Sequence, residues 1–139
     1  MNSPSEQRDK PKEDVTLWYV IGLGVVWPYL ARVPGTFIHG HKWLTSYFPS
    51  LEGVVFFGIF NLIPWGALAL LRASYRNSVI PFWSAAAAAL CFLFYVHSRL
   101  DLAADAQAAI ALVFIPIYSV GAVFLGWGAG LIIQWIRKR

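Results

Sequence analysis

Three histidines and a small set of carboxylates are the side chains in this sequence best suited to chemistry. His39 and His41 flank Gly40, and His97 precedes Asp101 by four residues. In an extended segment residues two apart point the same way, so His39 and His41 would present both imidazoles to one ion. His97 and Asp101 would share a face if the helix that carries them continued that far. Imidazole with carboxylate suits zinc, copper or nickel, and three or four such ligands complete a site. His39, His41, His97 and Asp101 are therefore the candidate metal ligands, with zinc or copper as the candidate ion. The plainer assignment is solvated loop residues and no cofactor, because His-Gly-His lacks the longer fixed spacings of recognised zinc motifs.

The elements that must position these groups are apolar. Of the 139 residues, 58% are hydrophobic and only 13% charged, with a mean hydropathy of +0.58. Soluble domains carry about 25% charged residues. Such a composition excludes a disordered chain and an ordinary soluble fold, and one cysteine excludes a disulfide framework. The four uncharged stretches are 15–31, 53–71, 79–96 and 109–136. A bilayer core of about 30 Å calls for roughly 20 apolar residues per helix. Continuous apolarity argues for helices, since a membrane barrel shows short segments of alternating polarity. The expected fold class is an all-α integral membrane protein, with four transmembrane helices in a compact up-down bundle. Residues 1–14 are expected to form a disordered cytoplasmic tail rather than a cleaved signal, because Glu6, Asp9, Glu13 and Asp14 outnumber its cations. Residues 15–136 make the transmembrane domain and 137–139 a basic end.

Positive residues stay on the cytoplasmic side of short connections. Arg8, Lys10, Lys12, Arg72, Arg76, Arg137, Lys138 and Arg139 fall on one side, against Arg32, Lys42 and Arg99 on the other. Both termini are thus expected in the cytoplasm, and the setting is a bacterial cytoplasmic (inner) membrane. The histidines, with Glu52, Asp101 and Asp105, then fall at the exoplasmic face. Within the stretches themselves there is no Asp, Glu, Lys, Arg or His, which removes the usual marks of proton relays and ion pathways.

Asn61 is the most polar group at depth, three residues before Pro64. It either lines a polar path or, more plainly, hydrogen-bonds a neighbouring helix. Pro28, Pro64 and Pro116 interrupt three helices as bends or hinges, while Pro81 sits in a first turn, where it costs little. Small residues four apart allow helices to approach closely. Ala122, Gly126 and Gly130 form one such row, and Ser84 with Ala88 another. These rows predict contact between the last two spans, and a homodimer seam is the competing use. Trp43, Leu44, Tyr47 and Phe48 share a helical face, which suits a short helix on the membrane surface or a docking surface. Ser50 with Glu52, and Asp105, are expected at helix N-termini.

No phosphate-binding glycine loop, nucleophile elbow, CxxC or HExxH occurs. The net charge of +4 reads as topology and lipid attraction, not as a nucleic-acid site. Three functions remain. The first is a non-enzymatic membrane protein that binds another membrane or exoplasmic protein, as an accessory subunit, assembly factor or immunity-type protein. The second is a homo-oligomeric channel or transporter subunit. The third is an exoplasmic metal-binding protein or membrane enzyme that uses the loop histidines.

Overall fold

In lipid every backbone N–H and C=O has to be satisfied within the chain, and an apolar run achieves this by coiling into helix. The computed structural model describes residues 15–46, 50–75, 79–102 and 107–139. In chain order its helices are α1 (Val15–Leu30), α2 (Val33–His39), α3 (His41–Thr45), α4 (Leu51–Ser74), α5 (Val79–His97) and α6 (Ala108–Arg137), with no strand among the described residues. Four helical stretches are long and apolar enough to cross a membrane: Val15–His39, Leu51–Ser74, Val79–His97 and Ile110–Arg137. The fold is that of a membrane helical protein.

Helix continues past the uncharged stretches. The first helical stretch takes in Arg32 and His39 beyond its uncharged part, the second Glu52 and Arg72, and the third His97. Helical hydrogen bonding is local and does not stop where apolarity stops. α4 begins at a side-chain cap, with the Gly53 N–H donating to Ser50 Oγ at 3.1 Å. α6 follows Gln107, whose side chain makes no capping bond, and Asp105 lies outside the described residues. So do Tyr47, Phe48 and the N-terminal tail.

α5 packs most extensively on α6, α4 packs on α6 and α1, and α1 reaches α5. The α5–α6 contact is close because its residues are small. A Cβ added to Gly126 would lie 2.6 Å from the Ser84 carbonyl oxygen and 2.7 Å from Ala88 Cβ. One on Gly130 would strike Pro81. Both glycines are buried against α5, on the row that a homodimer seam would have used; Ala122 in the same row is half-buried. Between α1 and α4, the Trp65 ring lies directly on Gly24, where a methyl group would overlap it. The Trp27 indole N–H donates to the Leu90 carbonyl of α5 at 2.9 Å. Trp65, Leu68, Phe82, Leu93, Ile115, Val123 and Trp127 share one core with the α5 alanines Ala85, Ala86 and Ala89.

Pro28, Pro64, Pro81 and Pro116 are all fully buried, so each turns toward neighbouring helices. At Pro116 the Ser119 hydroxyl donates back to the proline carbonyl at 2.6 Å.

Candidate functional site

The connection after α1 contains two short helices that meet at a glycine. Gly40 has φ 82° and ψ 176°, a conformation open essentially to glycine alone, and it separates α2 from α3. His39 therefore ends one helix and His41 begins the next. This corrects the extended reading of His-Gly-His, under which both rings faced one ion.

Arg32 is the organising side chain of this region. It sits in the turn between α1 and α2 and is 0% exposed. Its Nε donates to the Trp43 carbonyl at 2.8 Å. Nη1 donates to the carbonyls of Leu100 at 2.5 Å and His97 at 3.3 Å, and Nη2 to Ser46 Oγ at 3.4 Å. The His97 carbonyl belongs to the last turn of α5, where carbonyls have no intrahelical partner, and the guanidinium supplies one. A planar fork of donors meets such divergent acceptors in a way that an ammonium cannot.

Trp43 completes the arrangement. The guanidinium carbon of Arg32 lies 4.1 Å from the centre of the Trp43 ring, and the His39 ring lies at 4.5 Å. A methyl group on Gly35 would overlap the indole, so that glycine is what admits it. Trp43 is consequently buried, while Leu44 is half-buried. This corrects the surface-helix reading of residues 42–48 at Trp43, whose ring turns inward over a cation.

Beneath Arg32, polar groups from three helices approach one another. Tyr29 of α1, Asn61 of α4 and His97 of α5 line a cavity of about 10 Å³ with Pro28, Phe57 and Leu112. His97 is 2% exposed and Asn61 6%. Space of that size suits at most a single water molecule. It is too small to hold a metabolite.

The four candidate ligands do not gather. His39 stacks on Trp43, His41 and Asp101 are exposed, and His97 is buried beside Asn61. Among the described residues no group of three or more His, Cys, Asp or Glu is arranged to hold a metal. Cys91 is exposed on α5. The residues that sequence reasoning missed are Arg32, entered only as a topological charge, and Trp43, entered only on the face of a surface helix or docking surface. The nearest available signal was Gly35, a residue without a side chain eight positions before a tryptophan.

Comparison with protein-family models, with characterised proteins and with solved structures finds no match for this chain.

Proposed function

We propose that this chain is a non-enzymatic membrane protein that works by binding another membrane or exoplasmic protein, as an accessory subunit, an assembly factor or an immunity-type protein does. One observation carries the reading. The buried residues of α4 (Asn61, Pro64, Trp65 and Leu68) begin only at its eleventh position, and residues 51–60 contain none. The first ten residues of a membrane-length helix thus contain no buried side chain, although Phe57 among them lines the small cavity. This segment presents Val55, Phe56 and Ile59, about half to three-fifths exposed, with the Phe56 ring 4.7 Å from the Phe60 ring of the same helix. Helices in lipid associate by close van der Waals fit. Gly58 has open space where a side chain would be, which gives a partner helix room to approach.

The same reading makes the four spans an up-down bundle in a bacterial cytoplasmic (inner) membrane, with both termini inside. The excess of Lys and Arg near the ends, together with Arg72 and Arg76, supports that orientation. A reporter fused after Arg139 is active only on the cytoplasmic side if the orientation holds. Activity on the outside alone reverses it.

A photo-crosslinking residue at Phe56 or Ile59, compared with one at the exposed Leu125 of α6, tests the partner in native membranes. The expected result is a discrete adduct with a different protein from the α4 positions and none from Leu125. Lipid adducts alone at every position would defeat the reading. Adducts between copies of this chain would replace it with a homo-oligomeric channel or transporter subunit.

A further inference from the structure

At the end of α5 opposite Arg32, a hollow of about 260 Å³ opens between the first turn of α5 and the last two turns of α6. Its lining is divided in character. Val79 and Ile80 form an apolar wall, Arg137 and Lys138 supply two cations, and Gln134 supplies a carboxamide. Among the described residues no acidic side chain lines it. The neighbouring cation, Arg139, is engaged elsewhere, 3.7 Å over the Trp135 ring. The positive end of the α5 dipole and the negative end of the α6 dipole meet here and largely offset one another, so selectivity falls to the two side-chain charges.

We propose that this hollow binds the phosphate-bearing headgroup of an anionic membrane lipid. Arg137 and Lys138 pair with the phosphate oxygens, and the Gln134 carboxamide donates to one of them. Val79 and Ile80 lie against the glycerol and the first carbons of the chains. The chains leave along exposed apolar surface, which Val79, Trp83 and Ile133 provide on the two helices. That apolar wall is what favours a lipid over a free phosphate ion, which stays strongly hydrated and gains nothing from it.

The test uses the full chain in detergent, incubated with equal amounts of phosphatidylglycerol and phosphatidylcholine, with retained lipid read by native mass spectrometry. Phosphatidylglycerol is expected to be retained about thirtyfold in preference, the effect of two cations acting on one anionic headgroup. The double variant Arg137→Gln, Lys138→Gln removes the preference, and Lys42→Gln, Arg99→Gln, with the same loss of charge at exposed residues, keeps it. Val79→Trp fills the hollow without changing charge and abolishes retention, with the helical circular dichroism unchanged. Three results overturn the proposal: no preference in the wild type, equal loss in both double variants, or full retention in Val79→Trp. Complete displacement of the lipid by excess inorganic phosphate overturns the lipid assignment in favour of a free-anion site.

Discussion

Replacing Arg32 is the most direct probe of how this chain holds its shape. The side chain is wholly buried and joins the α2–α3 connection to the end of α5. Arg32→Ala leaves the carbonyls of His97 and Leu100 without the guanidinium, whereas the Trp43 carbonyl keeps a donor in the Ser46 hydroxyl at 3.0 Å. A buried acceptor stripped of its partner costs about 1–3 kcal/mol. Two of them, together with the lost cation–π contact of about 1 kcal/mol, put the destabilisation at about 3–7 kcal/mol. Relief from burying a charge works the other way and favours the lower end. Arg32→Lys keeps the charge but cannot span three divergent carbonyls, so it recovers about half of the loss. The assay is reversible unfolding in mixed micelles with increasing SDS, followed by tryptophan fluorescence. Arg32→Ala within about 0.5 kcal/mol of wild type, the range of an ordinary surface change, would refute the staple.

Other substitutions separate packed positions from open ones in the same assay. Gly126→Leu forces α5 and α6 apart and costs about 1–3 kcal/mol or more, whereas Gly121→Leu, into open space, changes stability little; equal effects would mean that α5 does not lie on Gly126. Gly24→Ala displaces Trp65 and destabilises, and Gly22→Ala, two residues away with nothing nearby, does not. Gly40→Ala strains the α2–α3 junction by about 1–3 kcal/mol, because its φ of 82° suits only glycine; a neutral result would disprove that conformation. Elemental analysis should find no zinc or copper at one ion per chain, as no three His, Cys, Asp or Glu among the described residues are grouped to hold one; a stoichiometric metal would show that the ligands do converge.

Helical class and the four membrane-length stretches were legible from the sequence because both depend on neighbours within a few residues. An uncharged run the thickness of a bilayer has to coil, and Ser50 three residues before Gly53 caps a helix wherever that helix goes. The small-residue rows announced close approach without naming the partner. Gly126 and Gly130 suit a second copy of the chain as well as α5, and only the tertiary arrangement sets them against Ser84 and Pro81. Arg32 was least legible. By sequence it is a cation at a span boundary, which ordinarily faces water, yet it is buried because carbonyls from residues 43, 97 and 100 converge on it. Trp43 moved inward for the same reason, and His97 left the outer surface for the cavity beside Asn61. Helix formation is a local property of the chain, whereas the burial of a charge depends on acceptors from distant segments, and their convergence exists only once the helices have packed.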